Sequence, residues 1–447
     1  MNENKKPRGF YLIKTYGCQM NDHDSEVLAG MLENMGYIPA GSADKTSDIV
    51  LINTCCVRKT AENKVYSLLG RLRRLKAENP DMIIGVCGCM VQQEGMAARL
   101  RRYFPYVNLI FGTYNLHMLP EIIEKFLEKR EPVQEIWTQS KELIENLPVK
   151  RKEGIRAWVN ITYGCNNFCS YCIVPYVKGR ERSRQPEVIL NEVEKISRLG
   201  YKEVVLLGQN VNSYGKDLKN EIDFAGLLGK MESIKGIERI RYMTSHPRDF
   251  TGRLIETIAA SKKVCEHFHL PVQAGSDRIL KKMNRGYTRD EYFNLIRTIK
   301  KYVPNATITT DILVGFPGEE DNDFDDTIDL VKQVRFDSAF TFIYNVRPGT
   351  PAADMEGQVP ENKKTKRIQD LIELQNKISL EKNQEEKGRI QEILIEGENK
   401  KVKGHLFGRN RGNKAVFFPG EKSLIGKTVR VKINEAYLIR LAGEMVD

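Results

Sequence analysis

Hydrophobic residues in the first 145 positions alternate between short unbroken runs and stretches with helical spacing. The runs cover residues 10–13, 48–52 and 82–86, and helical patterns at 25–35 and 60–75 lie between them. Strands buried on both faces appear as continuous apolar runs, and intervening helices are typical of a parallel sheet. We therefore predict an N-terminal parallel-sheet α/β domain at residues 1–145.

The region from 150 to 380 repeats the alternation of strand and helix. Strand candidates lie at residues 157–161, 203–207, 239–243, 266–270, 307–313 and 339–344. A helix-like stretch follows each candidate except the last. Six such units are fewer than a closed eightfold barrel needs, so they predict an open (β/α)6 partial barrel with its functional residues in the loops after the strands.

The last part of the chain changes character again. A charged amphipathic stretch at 361–388 predicts a long connecting helix. Short alternating runs follow at 393–395, 415–418 and 429–433, separated by Gly-rich and Asn-rich turns. We predict a small antiparallel β-barrel of the OB-like kind at 383–447, which gives an α/β protein of three domains.

Composition narrows the function classes. The 447 residues are 41% hydrophobic, and no apolar run reaches the eighteen or so residues of a membrane span. The formal net charge of +11 is compatible with a polyanionic partner, and residues 151–184 hold seven Lys and Arg against two Glu. Nine clustered cysteines fit reduced, metal-binding thiols better than a disulfide framework. We expect a cytoplasmic protein without a membrane anchor.

Cys165, Cys169 and Cys172 place three thiols within eight positions. A structural zinc site takes four protein ligands, whereas a cubane iron–sulfur cluster with three cysteines leaves one iron open to a substrate or cofactor. The alternative is one buried face of a core helix. Gly164, Asn166 and Asn167 favour a loop, because Gly and Asn are turn residues.

Three other cysteines each follow a predicted strand of the N-terminal sheet. They are Cys18, Cys55 and Cys89. The carboxyl ends of parallel strands lie along one edge of a sheet, so these thiols are expected to converge there. The alternative is that they are scattered core residues. Cys56 and Cys87 have no equivalent place in the repeat and are interpreted as structural or incidental.

The spacing CxxxCxxC resembles the cluster-binding loop of the radical S-adenosylmethionine (SAM) superfamily. The order of three distributed cysteines, this loop and a C-terminal β-barrel resembles the methylthiotransferases, which end in a TRAM domain. Four longer segments are similar to the MiaB type of that family: residues 15–26, 163–176, 180–184 and 347–354. The resemblance implies an enzyme that adds a methylthio group to carbon 2 of N6-isopentenyladenosine next to the tRNA anticodon.

The resemblance also implies the cofactors. Cys165, Cys169 and Cys172 would hold a 4Fe-4S cluster whose open iron binds SAM, and one electron would cleave SAM to a 5′-deoxyadenosyl radical. Cys18, Cys55 and Cys89 would hold an auxiliary 4Fe-4S cluster that supplies or carries the sulfur. Two SAM molecules would be used per product. The implied partners are tRNA bearing isopentenyladenosine and a reducing electron donor, and we expect a monomer.

Under the same resemblance, loops after the barrel strands are expected to bind SAM. We assign Gly208, Gln209 and Asn210 to the methionine end of SAM. We assign Gly315, Phe316, Pro317 and Gly318 to the adenosine, and Gln273 and Ser276 to the ribose. The alternative is that these are ordinary turn residues.

Two basic groups are the candidates for tRNA binding: Arg180, Arg182 and Arg184 beside the cysteine loop, and Arg409, Arg411 and Lys414 in the C-terminal barrel. Small β-barrels often bind RNA through a basic face with aromatic platforms, and Phe407, Phe417 and Phe418 are nearby. The alternative for the second group is that the phenylalanines are core and the arginines a solvated rim.

Other functions remain open from the sequence. The same chemistry on threonylcarbamoyladenosine, or on an aspartate of a ribosomal protein, is the nearest rival, and the segment 17–21 favours the MiaB type over both. A non-catalytic iron–sulfur protein that binds RNA or transfers electrons is the rival of another class. Ferredoxin-like proteins use four cysteines per cluster, so the absence of a fourth thiol near Cys172 speaks against it.

Overall fold

The structure is a computed structural model that describes residues 6–41, 47–56, 59–139, 143–219 and 222–446. The chain forms two compact units. The first comprises residues 1–153 with 163–166 and 173–184, and the second comprises 154–162, 167–172 and 185–447. The central and C-terminal regions therefore belong to one unit, and the three domain boundaries drawn from the sequence stay predictions.

The first unit is built on a six-stranded parallel sheet with the order β2-β1-β3-β4-β5-β6. Its strands are β1 Gly9–Tyr16, β2 Tyr37–Pro39, β3 Ile49–Thr54, β4 Ile83–Gly88, β5 Leu109–Phe111 and β6 Val133–Glu135. Its helices are α1 Gln19–Asn34, α2 Lys59–Glu78, α3 Met96–Tyr103, α4 Leu119–Lys129 and α5 Val174–Lys178. The predicted parallel sheet is confirmed.

Helices cover both faces of this sheet. Leu28 of α1 and Ile123 of α4 belong to one apolar core, and Leu68 of α2 and Leu100 of α3 belong to the other. Every residue of β3 and β4 is buried. This two-sided burial explains why both strands appear in the sequence as unbroken apolar runs.

The second unit begins with the partial barrel. Its six strands are β7 Arg156–Asn160, β10 Glu203–Leu207, β11 Arg239–Tyr242, β12 His267–His269, β13 Thr307–Val314 and β14 Ser338–Ile343; the two-residue strands β8 Thr162–Tyr163 and β9 Arg182–Ser183 lie between β7 and β10 in the chain. The six pair in parallel as β7-β10-β11 and β12-β13-β14. A parallel bridge between Ile240 and Val264 links the two sheets. The predicted open (β/α)6 arrangement is confirmed.

Helices lie on the outer face of the six strands. They are α6 Pro186–Arg198, α7 Phe224–Met231, α8 Gly252–Ala260, α10 Arg289–Tyr302, α11 Asp321–Val334 and α12 Glu361–Gln384. The short helix α9 Asp277–Lys282 instead packs in a separate apolar cluster with Phe316 and Tyr344. Alternate strand residues such as Val159, Phe268 and Ile312 pack beneath the outer helices in the largest apolar core. The remaining strand residues face the interior of the barrel, which is called the lumen below.

The C-terminal strands close into a barrel with the order β15-β16-β17-β19-β18. They are β15 Ile390–Glu398, β16 His405–Arg409, β17 Ala415–Pro419, β18 Thr428–Ala436 and β19 Leu441–Val446. Four of the five pairings are antiparallel, as predicted, whereas β17 and β19 run parallel. The last strand, β19, lies between β17 and β18 and closes the barrel. Because β19 forms an antiparallel hairpin with β18, it runs parallel to β17.

Every helix among the described residues is too short or too polar to span a bilayer.

Candidate iron–sulfur centres and ligand loops

Cys18, Cys55 and Cys89 follow β1, β3 and β4, which are neighbours in the sheet. Cys18 caps the start of α1, and Cys55 and Cys89 are buried. The thiol of Cys18 interacts with that of Cys55, and this interaction is the main cause of a raised pKa of Cys18; the charge of Cys89 also contributes. These interactions place the thiols near one another at the carboxyl edge of the sheet. Their role as ligands of one cluster stays a prediction.

Two buried asparagines hold the turn around Cys18. The side-chain oxygen of Asn21 accepts hydrogen bonds from the Cys18 amide at 3.3 Å and from its thiol at 3.5 Å. Asn53, at the end of β3, donates to the Asn21 carbonyl at 2.9 Å and to the Ser25 hydroxyl at 3.0 Å. These bonds tie the turn after β1 to the end of β3, so the positions of Cys18 and Cys55 are fixed relative to each other.

Cys56 and Cys87 differ in their surroundings. Cys87 is fully buried in the apolar core of the sheet, which fits the structural interpretation. Cys56 instead lies among the predicted ligands, since its thiol interacts with those of Cys55 and Cys89. The interaction with Cys56 is the main cause of a lowered pKa of Cys89.

A buried cation lies beside this group of thiols. The Lys178 Nζ is 3.6 Å from the Asp24 Oδ2, and both side chains are more than nine-tenths buried. Burial lowers the pKa of Lys178, but the charges of Cys89 and Asp24 outweigh it and raise the pKa overall. Lys178 lies 89 positions from Cys89 in the sequence, and residue patterns gave it no role beyond one basic residue among seven.

The donor set fits an iron–sulfur cluster. Three cysteines converge from three neighbouring strand ends, which supplies three soft thiolate ligands and leaves one iron without a cysteine of the predicted set. A lysine held beside them offsets the negative charge that thiolates bring into a buried site.

The segment containing Cys165, Cys169 and Cys172 is coil and turn, so the helix alternative is wrong. Cys165 belongs to the first unit, where its amide donates to the Gly179 carbonyl at 3.1 Å. Gly164 has a φ of +78°, and a Cβ there would lie 2.1 Å from the Arg180 carbonyl oxygen. Only glycine fits that position without a shift of the backbone.

Cys169 and Cys172 belong to the second unit and form a tight turn, in which the Cys172 amide donates to the Cys169 carbonyl at 2.9 Å. The amide of Ser170 donates to the Met283 carbonyl at 3.0 Å, which anchors this turn at the end of α9. That the two thiols of this turn, together with Cys165, hold a cubane with one open iron stays a prediction.

A second buried cation lies beside this turn. Arg285 donates to the Cys169 Sγ at 3.3 Å and to the Pro271 carbonyl at 2.7 Å. Burial lowers the pKa of Arg285, but the charges of Tyr171, Tyr287 and Cys169 raise it overall. The arginine is 116 positions from the cysteine that it contacts, so no local sequence signal identifies it.

The loops after β10 and β11 contain buried polar atoms. Asn210 donates to the Asp249 Oδ2 at 2.7 Å. Within the described residues, the Asn210 Oδ1, the Ser245 Oγ and the His246 Nε2 are buried and have no hydrogen-bond partner in the protein. Burial and the charges of three cations, Arg285, Arg248 and Lys216, lower the pKa of His246 to about 2, so its ring is neutral. Such atoms fit a polar ligand, as SAM is, because unpaired buried polar groups are costly.

Four other residues assigned to SAM, Gly208, Gln209, Gln273 and Ser276, differ in burial and in their contacts within the protein. Gly208 follows β10 directly, with Gln209 half-buried beside it, and a Cβ at Gly208 would lie 2.4 Å from the Thr162 Cγ2. Gln273 has a φ of +73° and is paired through its backbone with Asp311 and Leu313. The Ser276 hydroxyl donates to the Asp323 carboxylate at 2.6 Å.

In the loop after β13, the Gly315 amide donates to the Glu319 carboxylate at 3.0 Å, and the Gly318 amide donates to the Gly357 carbonyl at 2.7 Å. Phe316 and Pro317 are buried, and the Phe316 ring packs 5.6 Å from that of Tyr344. Their contact with SAM stays a prediction.

The first basic group is only partly on the surface. Arg180 is exposed, Arg182 is half-buried with its guanidinium 5.4 Å from the Tyr114 ring, and Arg184 is buried with its Nε 2.8 Å from the Glu145 carboxylate. Arg180 is therefore the member that presents most surface to a large partner.

The second basic group lies around the turn between β16 and β17 and pairs with carboxylates. Arg411 binds Glu266 at 2.7 Å, Lys414 lies 3.1 Å from Asp337, and Arg409 lies 3.2 Å from Glu396. Glu266 and Asp337 belong to the partial barrel, so Arg411 and Lys414 fasten the two barrels together, whereas Arg409 pairs with Glu396 within the C-terminal barrel. They are not the solvated rim of the alternative reading, and their role in RNA binding stays a prediction.

An aromatic surface lies on the outside of the C-terminal barrel. The sequence analysis did not distinguish its phenylalanines from the one in the barrel core. Phe418 is fully buried in the barrel core. Phe407 and Phe417 are half-buried and stack on each other at 6.0 Å. The exposed Arg440 lies 5.7 Å from the Phe417 ring and 4.8 Å from that of Tyr437. Alternation along β16 and β17 would have separated the outward phenylalanines from the core one.

Three family models match this chain. The radical SAM superfamily matches residues 159–331, "Uncharacterized protein family UPF0004" matches 10–112, and the TRAM domain matches 384–446. Two similar relatives are named tRNA-2-methylthio-N(6)-dimethylallyladenosine synthase. The one from Pelotomaculum thermopropionicum is 67% identical over 97% of both chains. The one from Desulforamulus reducens is 60% identical over 100% of this chain and 96% of the relative.

Solved structures with a similar fold are distant in sequence. The radical SAM methyltransferase TsrM from Kitasatospora setae is 15% identical with a TM-score of 0.57, over 77% of this chain and 75% of that one. The cobalamin-dependent SAM radical enzyme OxsB is 14% identical with a TM-score of 0.52, over 83% and 56% of the two chains. At these identities the likeness shows the fold alone.

Proposed function

This chain belongs to the tRNA-2-methylthio-N6-dimethylallyladenosine synthases, a family of radical SAM methylthiotransferases, and we propose that its two cysteine triads divide that reaction between them. The enzyme adds a methylthio group to carbon 2 of N6-dimethylallyladenosine in tRNA, and it uses SAM and 4Fe-4S clusters. The observation that carries the division of roles is the convergence of Cys18, Cys55 and Cys89 at three neighbouring strand ends.

Carbon 2 of adenine bears an unactivated C–H bond, so the difficult step belongs to the cofactors. When bound at Cys165, Cys169 and Cys172, a cluster with SAM would supply a 5′-deoxyadenosyl radical, and a cluster at Cys18, Cys55 and Cys89 would supply or carry the sulfur. The protein's own part is to hold the ligands, balance their charge and position the base.

The polar loops of the partial barrel are proposed to hold SAM. The buried, unpaired atoms of Asn210, Ser245 and His246 support this role for the loops after β10 and β11. The His246 Nδ1 accepts from the Arg248 amide at 3.3 Å. In the neutral ring Nε2 therefore carries the proton and can donate one hydrogen bond to the methionine part of SAM. Gln273, held at positive φ after β12, and the Gly315–Gly318 turn are proposed to contact the adenosine part.

For tRNA we propose two surfaces. One is exposed Arg180. The other is the aromatic surface of Phe407, Phe417 and Arg440, where a stacked pair and a cation can bind an unpaired base and a phosphate. Electrons would come from an external reductant. A monomer in the cytoplasm is the state that we expect.

The triads can be tested separately with anaerobically reconstituted protein, SAM, a reductant and tRNA carrying N6-dimethylallyladenosine. Nucleosides from digested tRNA and 5′-deoxyadenosine from SAM are both measured by mass spectrometry. We expect the wild type to yield both products, Cys165→Ala to yield neither, and Cys18→Ala to yield 5′-deoxyadenosine without the methylthio nucleoside. Cys87→Ala is the matched control and should keep both.

A result in which Cys18→Ala still forms the methylthio nucleoside would contradict the proposed auxiliary site. The wild type could instead release 5′-deoxyadenosine but form methylthio product only on tRNA carrying threonylcarbamoyladenosine. That result would contradict N6-dimethylallyladenosine as the substrate.

A further inference from the structure

The inner face of the partial barrel carries two exposed aromatic side chains. In β14, Ala339 and Ile343 pack against the main core, whereas Phe340 and Phe342 alternate with them and face the lumen. Phe340 is 55% exposed and Phe342 is 36% exposed. Barrel interiors are ordinarily packed with side chains, so two exposed phenylalanines form an apolar surface that a ligand in the lumen can contact.

A carboxylate lies next to these rings. In the register of β13 and β14, Asp311 is opposite Phe340 and Leu313 is opposite Phe342. The Asp311 Oδ1 lies 3.5 Å from the Nε2 of buried His269, whose ring is 6.1 Å from that of Phe340. We call the four residues Asp311, Leu313, Phe340 and Phe342 the lumen wall. It combines an apolar surface with one hydrogen-bond acceptor.

The amino end of the lumen is filled by the turn at residues 409–413. Arg239 donates to the Arg409 carbonyl at 2.6 Å, and Arg241 donates to the Asn410 carbonyl at 2.7 Å. Gly412 lies so close to Thr307 that a Cβ would be 2.2 Å from its hydroxyl. A ligand therefore reaches the lumen wall from the carboxyl end of the strands.

The carboxyl end is also where the proposed SAM residues lie. The Gln273 amide donates to the Asp311 carbonyl and its carbonyl accepts from the Leu313 amide, both at 2.9 Å. Backbone hydrogen bonds thus join two residues of the lumen wall, Asp311 and Leu313, to Gln273, a residue assigned to SAM. A base bound against the wall lies close to the place where the radical is generated.

We propose that the lumen wall binds the N6-dimethylallyl group of the target adenine. This inference rests on the proposed function. Phe340 and Phe342 are two residues apart on one strand, about 7 Å, which matches a branched five-carbon group. Asp311 accepts a hydrogen bond from the N6–H of the base, a donor that would be costly to bury unpaired.

The same wall explains a choice between modified bases. A threonylcarbamoyl group on N6 carries a carboxylate, and binding at the lumen wall would bring it beside the carboxylate of Asp311. Two like charges in a partly buried site repel each other, so the wall selects the apolar substituent by attraction and rejects the charged one by repulsion.

The experiment compares two anticodon stem–loop RNAs that differ only in the target base, N6-dimethylallyladenosine or adenosine, in binding to the full-length reconstituted protein. We expect the wild type to prefer the prenylated RNA by roughly tenfold or more. Phe340→Ala with Phe342→Ala should remove that preference, and Phe340→Leu with Phe342→Leu should retain most of it. Tyr302→Ala, an exposed aromatic residue of α10, is the matched control.

Equal preference for the prenylated RNA in the wild type and the double Ala variant would overturn the proposal, as would a wild type with no preference. The same preparations of wild-type protein are also assayed for methylthio product. Product formation tests the proposed function, and the binding preference tests this inference, so failure of one is distinguished from failure of the other. For Asp311→Asn, we expect the threonylcarbamoyl-bearing RNA to bind more tightly than it does to the wild type. Unchanged binding of that RNA would refute the repulsive role of Asp311.

Discussion

Each cysteine triad has one buried cation beside one of its members: Lys178 near Cys89, and Arg285 at 3.3 Å from Cys169. Thiolate-ligated clusters carry net negative charge, and hydrogen bonds or cations at the sulfurs set their reduction potential. We therefore expect both cations to influence the potential of the clusters that the triads are predicted to hold.

Replacing Arg285 should shift the potential of the cluster at Cys165, Cys169 and Cys172. Removing a positive charge favours the oxidised cluster, so Arg285→Met should lower the potential by on the order of 50–100 mV. Arg285→Lys keeps the charge and should shift it less. The measurement is a redox titration followed by electron paramagnetic resonance, in a Cys18→Ala, Cys55→Ala, Cys89→Ala background that carries only this cluster.

Equal potentials in the Met and Lys variants and the wild type would show that Arg285 serves only to anchor the loop. The iron content of each variant is measured alongside, so that loss of the cluster is not mistaken for a change in its potential.

His246 should make the protein sensitive to mild acid. Its pKa is lowered from 6.5 to about 2 in the folded state, chiefly by burial. Above pH 6.5 the ring is neutral in both states, but below it the unfolded chain gains a proton that the native state does not accept. The free energy of unfolding should therefore fall as the pH drops from 6.5 towards 2, by at most about 1.4 kcal/mol per pH unit.

His246→Asn keeps a side-chain acceptor for the Arg248 amide but cannot gain a proton. Its loss of stability between pH 7.5 and 5.5 should be about 1 kcal/mol smaller than that of the wild type, as measured by urea unfolding. Parallel losses in the two proteins would place the acid sensitivity elsewhere.

At the residue level, the sequence identifies candidate cluster ligands but not the charged residues that lie beside them. Cys18, Cys55 and Cys89 were found because each follows a strand. Lys178 and Arg285 were not, because tertiary contacts bring them to the thiols from 89 and 116 positions away. A charged residue that becomes buried only through such contacts leaves no local periodic signal.

At the scale of elements, apolar periodicity predicts the long strands and most of the helices, but not α3 and α4. It does not predict the strands β2, β5 and β6 either. Each has three residues, too few to show an alternation or to exceed the length of an ordinary loop. The turn between β16 and β17 is a different case. Its basic residues stand out in the sequence as candidates for RNA binding, which stays a prediction. Sequence alone cannot show that carboxylates of the partial barrel pair with Arg411 and Lys414.

That turn should contribute to stability through Arg411. Its guanidinium binds the Glu266 carboxylate and donates to the carbonyls of Lys262 and Val264, at 2.7–3.0 Å. The side chains of Arg411 and Glu266 are about a quarter exposed, so their pairing is only partly screened. Arg411→Ala should lower the free energy of unfolding by about 1–3 kcal/mol.

A double-mutant cycle with Glu266→Ala isolates the pair, and its coupling energy should be close to 1 kcal/mol or above. An Arg411→Ala variant that melts like the wild type but binds tRNA with a smaller salt dependence would instead support the RNA role predicted from the sequence.

At the scale of the whole molecule, the excess of 70 Lys and Arg over 59 Asp and Glu favours a polyanionic partner without locating its surface. Many of these cations are already paired with carboxylates, as Arg184, Arg411 and Lys414 are. A cation in such a pair adds less to phosphate binding, because its charge is offset where it lies. Arg440, which contacts only aromatic rings among the contacts described above, is better suited to a phosphate.

The tRNA affinity of the wild type should therefore fall steeply with salt, and Arg440→Ala should reduce the slope of log affinity against log salt concentration by about one unit.

Phe407→Ala with Phe417→Ala should weaken binding by a similar factor at every salt concentration, because base stacking releases no counterions. Filter binding from 50 to 300 mM salt measures both effects, with Lys377→Ala on exposed α12 surface as the matched control. A slope unchanged by Arg440→Ala but reduced by Lys377→Ala would move the RNA surface from the C-terminal barrel to α12.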